Sequence, residues 1–113
     1  MSSAAEEGQF ASDDSIQVRT KDGQQVYIDA SVIYAVDPAK AIDLYRTWRV
    51  GYQDGLVRPQ ARGVIRDAAS QYGVEEIVSS KRLEMSVIIT EELRRIFAEN
   101  NLVLRDFVLR NIR

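Results

Sequence analysis

The chain has neither cysteine nor histidine among its 113 residues. Without cysteine there can be no disulfide, no thiolate nucleophile and no cysteine-type metal site. Without histidine, the commonest general base and the commonest metal ligand are missing. A Gly-x-Ser-x-Gly motif and a phosphate-binding glycine loop are absent as well. These absences predict a non-enzyme with no catalytic, cofactor-binding or metal-binding residues.

The chain also lacks long hydrophobic runs and a strong charge of either sign. No apolar run approaches the ~18 residues of a membrane-spanning helix, and no basic segment followed by an apolar one opens the sequence. The net charge is −2, and all 15 basic residues lie after residue 15. Residues 16–113 are therefore mildly basic, which argues against binding driven by phosphate neutralisation. The small, polar, acidic residues 1–15 are predicted to be a disordered arm or an expression remnant.

A hairpin around Asp22 and Gly23 is the strongest local signal in the remaining residues. Glycine reaches positive φ without steric cost, and aspartate tolerates such turns. Residues 16–20 alternate in polarity before the turn, and residues 26–36 alternate for longer after it. The pattern predicts two antiparallel strands with one face to bury. Asp37 and Pro38 end the second strand, because proline cannot donate to the ladder.

Helical spacing follows the hairpin. Residues 39–48 are predicted to form a short helix capped by Asp37. Residues 52–72 show a second apolar stripe, with Pro59 predicting a kink or a later start near Val57, and Gly73 predicting the end. A short turn over 74–78 and a cap at Ser79 or Ser80 lead into a third helix that reaches about residue 100. Its apolar stripe consists of Met85, Ile89, Leu93 and Ile96, widened by Val87, Ile88 and Phe97.

Residues 102–112 are predicted to form a last strand. Its apolar residues do not alternate cleanly across Arg105 and Asp106, which indicates a bulge. The resulting order, β-β-α-α-(α)-β, predicts an α+β domain in which a hairpin and a C-terminal strand pack against two to four helices.

Several polar groups could in principle carry chemistry. Glu75–Glu76 and Glu91–Glu92 are paired carboxylates, but adjacent helical side chains diverge, so they are interpreted as solvated charges. Asp22 is explained by its turn. The spacing of Arg58, Arg62 and Arg66 favours a helix face paired with carboxylates, with a protein partner as the next alternative and phosphate contact after it. Tyr27, Tyr45, Trp48 and Tyr52 are assigned to the core or its edge, the alternative being an exposed patch that docks a subunit or a bilayer.

Several segments of residues 16–112 resemble, in sequence and in their order along the chain, those of one known family. They are Thr-Lys-Asp-Gly at 20–23, the alternating run ending in Val-Ile-Tyr-Ala-Val-Asp-Pro at 32–38, Tyr-Gln-Asp-Gly-Leu-Val-Arg-Pro at 52–59, Val-Ile-Arg at 64–66, Ser-Ser-Lys-Arg-Leu-Glu at 79–84, Leu93, Asn-Leu-Val-Leu at 101–104 and Phe-Val-Leu at 107–109. The chain is similar to SPFH domains, also called Band 7 or prohibitin-homology domains. The stretch from Leu-Val-Arg-Pro to Ser-Lys-Arg is most similar to the prohibitin branch.

This resemblance implies a non-catalytic scaffold of a membrane-associated protein that self-associates into large homo-oligomers. It implies contact with membrane lipids, organisation of membrane microdomains and modulation of a membrane-bound AAA protease. The family's membrane anchor, earlier strands and coiled coil are not in the sequence, so 16–113 is expected to be an excised domain, soluble as a fragment. Asn101 stands where the family often has glycine, a tolerable replacement because asparagine also adopts the left-handed conformation.

The alternative is a KH-like module that binds single-stranded nucleic acid, since the element order is loosely similar. KH domains clamp the nucleic-acid backbone with a Gly-x-x-Gly turn. The nearest candidate here, residues 51–55, has the wrong spacing and carries Asp54 where phosphate would sit. We therefore expect no nucleic-acid partner and no small-molecule substrate.

Overall fold

The computed structural model describes residues 9–36 and 53–113. The strands are β1 (Gln9–Arg19), β2 (Gln25–Val36) and β3 (Leu102–Ile112). The helices are α1 (Arg58–Ala69) and α2 (Arg82–Glu99), each preceded by a π-helical turn, Gln53–Val57 and Glu76–Ser80. The three strands form one antiparallel sheet in the order β1-β2-β3, which confirms the predicted α+β fold.

The β1–β2 turn follows the predicted hairpin. The amide of Gly23 donates to the carbonyl oxygen of Thr20 at 2.9 Å, and the amide of Thr20 donates to the carbonyl oxygen of Gln24 at 2.8 Å. Gly23 has φ 84°, a left-handed conformation that glycine adopts without the steric cost of a Cβ. The hydroxyl of Thr20 also donates to the Asp22 carboxylate. The turn therefore needs glycine and uses its aspartate structurally.

β1 begins well before the predicted boundary at residue 16. Gln9–Arg19 pairs with β2 in continuous register, from Gln9 opposite Ala35 to Arg19 opposite Gln25. The prediction of a disordered arm over residues 1–15 is therefore wrong for residues 9–15, while residues 1–8 lie outside the described residues. The long partner strand β2 supplies hydrogen bonds to this polar segment, a non-local effect that local composition does not reveal.

The helices cover one face of the sheet. The alternate residues of β2 that were predicted to be buried are buried as far as Tyr34. The largest fully buried side chains of the core are Tyr34, Phe97, Ile16, Ile28, Ile65, Ile77, Met85, Ile89, Leu93, Leu102 and Val57. The ring of Tyr34 meets the ring of Phe97 edge to face, with centroids 6.0 Å apart, a favoured aromatic geometry. The core thus lies between the sheet and the α1–α2 layer.

The helix boundaries agree with the sequence in part. α1 starts at Arg58 with Pro59 in its first turn. The π-helical turn Gln53–Val57 runs directly into it, so the predicted later start near Val57 is confirmed for the α-helix alone. α1 ends at Ala69, so the predicted stop at Gly73 is wrong. α2 begins after Lys81 without a side-chain cap, so the predicted serine cap is wrong too. The predicted helix over 39–48 and its Asp37 cap lie outside the described residues.

β3 is entered through a left-handed residue and carries two bulges. Asn101 has φ 65°, as the predicted asparagine-for-glycine replacement requires. The pairing shifts between Ile33 and Tyr34 and between Asp29 and Ala30 of β2. Arg105 and Arg110 are the unmatched residues of β3, so the bulge predicted near Arg105 is confirmed and a second one lies near the strand end.

Candidate interaction surfaces

The hairpin tip is fastened to the loop between the helices. The amide of Lys21 donates to the carbonyl oxygen of Tyr72 at 2.8 Å, and the amide of Val74 donates to Oδ2 of Asp22 at 3.4 Å. The hydrogen bond from the Thr20 hydroxyl is the main cause that lowers the pKa of Asp22. Asp22 therefore holds two parts of the backbone together, as its predicted turn role suggested.

The paired carboxylates also have structural partners. Glu76 accepts a hydrogen bond from the amide of Gly73 at 2.9 Å. Glu91 forms an ion pair with Arg94 at 2.9 Å, and Glu92 forms one with Arg95. Within the described ranges, no group of three or more acidic side chains is arranged to hold a metal ion. The structure thus accounts for the carboxylates of Glu76, Glu91 and Glu92 as parts of helix and loop stabilisation.

The arginine row of α1 lies against β1. Nε of Arg62 is 2.8 Å from Oδ2 of Asp14, and Nε of Arg66 donates to the carbonyl oxygen of Gln17 at 3.2 Å. Arg58 is partly buried at the start of the helix. The prediction of a helix face paired with nearby groups is therefore confirmed for Arg62, and the row contributes to the attachment of α1 to the sheet.

Arginine side chains also reach the backbone at both outer edges of the sheet. Gln17 lies on the outer edge of β1, and Arg66 donates to its carbonyl oxygen. On the other edge, Arg82 of α2 donates to the carbonyl oxygens of Leu109 at 3.0 Å and Arg110 at 3.3 Å. Occupied edge carbonyls and strand bulges both hinder the addition of another strand. The β3 edge has both protections.

The sheet face opposite the helices, which we call the open face, is mixed in character. A network joins all three strands: Arg113 pairs with Asp29 at 3.0 Å, reaches the Ser15 hydroxyl at 3.3 Å and lies 5.7 Å above the Tyr27 ring. The Ser15 hydroxyl and then Arg113 lower the pKa of Asp29. Nearby, the hydroxyl of Ser31 donates to Asp13 at 2.5 Å.

Apolar groups interrupt this polar network. Tyr27 is 43% exposed and Val108 is 37% exposed, while Ile33 is partly exposed and Ala35 is buried. Of the four aromatic residues singled out from the sequence, the described ranges include Tyr27, which lies on the open face; Tyr45, Trp48 and Tyr52 lie outside them. The open face therefore combines charges of both signs with accessible apolar side chains.

Sequence reasoning missed the exposed apolar residues of α2. Val87 and Ile88 were predicted to widen the buried stripe, yet they are 51% and 47% exposed. Leu83 is 78% exposed. The buried stripe of α2 is the narrower set Met85, Ile89, Leu93 and Phe97. Their residue type gave no signal, because the neighbouring Ile89 is also β-branched and is fully buried.

The chain belongs to the SPFH domain / Band 7 family, whose sequence model matches residues 5–113. Members of this family are generally membrane-associated, non-catalytic scaffold proteins. The match includes the β1 residues that composition had assigned to a disordered arm. No curated protein matches the chain. Within residues 9–36 and 53–113, no helix has the combined length and apolar character needed to cross a bilayer.

Proposed function

We propose that this chain is the non-catalytic scaffold and oligomerisation domain of a membrane-associated, prohibitin-like protein that organises membrane microdomains. The family match over residues 5–113 is the observation that carries the proposal. The engagement of Asp22, Glu76, Glu91 and Glu92 in structural contacts supports a non-catalytic role. In this proposal the domain needs no cofactor, and its partners are other copies of itself, membrane lipids and a membrane-bound AAA protease.

The open face is the surface that we assign to self-association. It carries carboxylates at Asp13 and Asp29 and a guanidinium at Arg113, together with the accessible side chains of Tyr27 and Val108. Two such faces can bring opposite charges together while covering apolar area, as interfaces between subunits do. A contact of this kind leaves the helical layer free for other partners.

The test uses the parent protein with its natural flanking sequences in its own cells. We expect it to sediment with membranes and to run as a very large complex in mild detergent. The double substitution Tyr27→Lys/Val108→Lys should reduce the size of that complex, because it places like charges on both sides of the contact. Val87→Lys/Ile88→Lys, at two half-exposed positions of α2 that face α1 and not the open face, is the matched control and should leave the size unchanged.

A soluble, monomeric parent protein would contradict the scaffold function. A large complex unaffected by the double substitution would retain the scaffold function and remove the open face as its contact. Co-purification of the parent with a membrane-bound AAA protease, and slower or faster degradation of that protease's substrate when the parent is deleted, would support the prohibitin-like role.

The KH-like alternative gains no support from the arginine row. Arg62 and Arg66 are engaged with β1, so phosphate contacts would have to displace existing partners. We expect no saturable binding when single-stranded RNA is titrated at low and at moderate salt.

A further inference from the structure

A groove runs between α1 and α2 on the side of the helices away from the sheet. Its volume is about 920 Å³, and α1 contributes Gly63, Val64 and Ala68 while α2 contributes Val87 and Ile88. The lining residues of α1 extend from Gln60 to Ala68. At 1.5 Å per residue this is roughly 12 Å, or just over two helical turns. The groove thus has the length and shape to receive one helix of a partner.

Two exposed β-branched side chains form one wall of the groove. Val87 and Ile88 are about half exposed, whereas Met85 and Ile89 beside them are fully buried. Valine and isoleucine lose side-chain freedom in a helix, so a solvent-facing position gives them no local advantage. Covering them would remove apolar area from water. Their placement is explained by a partner that packs on this wall.

Gly63 is a second, independent indication. It lies in the interior of α1, is exposed, and borders the groove. A Cβ added at this position would meet nothing within 4 Å, and its φ is not in the left-handed region. Glycine weakens a helix relative to alanine, and neither packing nor backbone conformation within the domain requires it here. A glycine at this point lets the backbone of a second helix approach closely.

The charges around the groove indicate the character of that helix. Three carboxylates line it, those of Asp67, Glu91 and Glu92, against one guanidinium, that of Arg95. Glu91 already pairs with Arg94 at 2.9 Å, and Arg95 pairs with Glu92 and, at 3.0 Å, with Glu99. With these partners counted, the four carboxylates of Asp67, Glu91, Glu92 and Glu99 outnumber the two guanidinium groups of Arg94 and Arg95, so the rim is acidic. A second copy of α1 and α2 would bring the same acidic rim, and like charges brought together oppose association.

We propose that the α1–α2 groove binds an amphipathic helix of a partner protein whose apolar stripe is flanked by lysine and arginine. The apolar stripe packs on Val87, Ile88 and Val64, and the helix backbone lies over Gly63. The basic flanks face Asp67 and Glu91. This is a helix-in-groove contact, and it does not depend on the scaffold function or on the open face.

The probe is a fluorescein-labelled synthetic peptide of about five helical turns, with leucines at helical spacing and lysines on both flanks. A matched peptide carries glutamate at every lysine position and keeps the same leucines. Fluorescence anisotropy with the full 113-residue protein measures both affinities. We expect the lysine peptide to bind at least about tenfold more tightly, with a difference that shrinks as salt is added.

Two variants test the site itself. Gly63→Leu fills the groove with a better helix former, so it should weaken binding of the lysine peptide by about tenfold or more without lowering the melting temperature. The double substitution Asp67→Lys/Glu91→Lys should reverse the preference toward the glutamate peptide. Leu83→Ala, which changes an exposed leucine of α2 outside the groove, is the matched control and should bind as the wild-type protein does.

Three results would overturn the proposal. Equal affinity for the two peptides would mean non-specific apolar adsorption. Unchanged binding by Gly63→Leu would place the peptide elsewhere. Self-association of the wild-type protein that Gly63→Leu abolishes, without peptide binding, would show that a second copy fills the groove.

Discussion

The two faces of the sheet are built from the same three strands but hold the molecule together differently. On the covered face, Ile28, Val32 and Tyr34 are buried beneath α1 and α2. On the open face, Asp29 and Arg113 form a polar network at the surface. Apolar burial is the main stabilising contribution to folding, whereas exposed ion pairs contribute little. The covered face therefore contributes most of the stability, and substitutions on the open face should cost less.

Substitutions on the buried and exposed sides of α2 should differ most in their effect on the free energy of unfolding. Phe97→Ala removes a fully buried ring that packs edge to face on Tyr34, and it should lower the free energy of unfolding by about 3–5 kcal/mol. Leu83→Ala, on the exposed side of the same helix, should change it by less than about 0.5 kcal/mol. Urea unfolding followed by circular dichroism measures both. Similar losses for the two variants would contradict the assignment of the core.

The turn into β3 decides which side of that strand meets the helices. Asn101 has φ 65°, a conformation that asparagine tolerates because its side chain can form local hydrogen bonds. Alanine has a Cβ but no such side chain, so Asn101→Ala should lower the free energy of unfolding by about 1–2 kcal/mol. Asn101→Gly should be as stable as the wild-type protein or more so, because glycine adopts positive φ freely. Thermal and urea unfolding compare the two. An alanine variant as stable as the glycine variant would show that the turn does not need the left-handed conformation.

The smallest expected effect lies on the open face and depends on pH. Hydrogen bonding to Ser15 and the charge of Arg113 lower the pKa of Asp29 from its ordinary value of 3.8. The folded state therefore favours the charged carboxylate, a contribution that is present above pH 3.8 and lost as the pH falls through the lowered pKa. Asp29→Asn removes it.

Urea unfolding of wild-type protein and Asp29→Asn across the acidic range checks this expectation. The wild-type protein should be slightly more stable near neutral pH, and the difference should shrink below pH 3.8. Added salt should reduce it as well, because the Arg113 side of the pair is largely exposed. A difference that stays constant with pH would mean that the carboxylate charge has no part in it.

Most of the fold follows from local sequence signals. The positive φ of Gly23 and Asn101, the alternation along β2 and the bulge at Arg105 are each properties of a few neighbouring residues. The early start of β1 could not be derived in this way, because the polar residues 9–15 become strand through pairing with residues 29–35 of β2. Local composition contains no information about such a distant partner.

The surfaces were less predictable than the core. The odd-numbered residues of β2 were recognisable as a separate face, but the position of Arg113 above Tyr27 depends on the final strand returning beside β2. Val87 and Ile88 fitted the apolar stripe of α2, and only the tertiary packing of the helix shows that the stripe is narrower. Helical spacing alone cannot distinguish an apolar residue in the core from one at the edge of a groove.

The two bulges of β3 have a consequence for changes in chain length. Arg105 and Arg110 are extra residues of β3 that have no partner in β2. If either one is removed, the residues before and after it still alternate between the covered face and the open face. Deleting Val103 instead would turn the preceding Leu102 to the opposite face, since a shift of one residue inverts a strand. The strand can therefore shorten by one residue at either of these arginines while its apolar side chains stay on the helices.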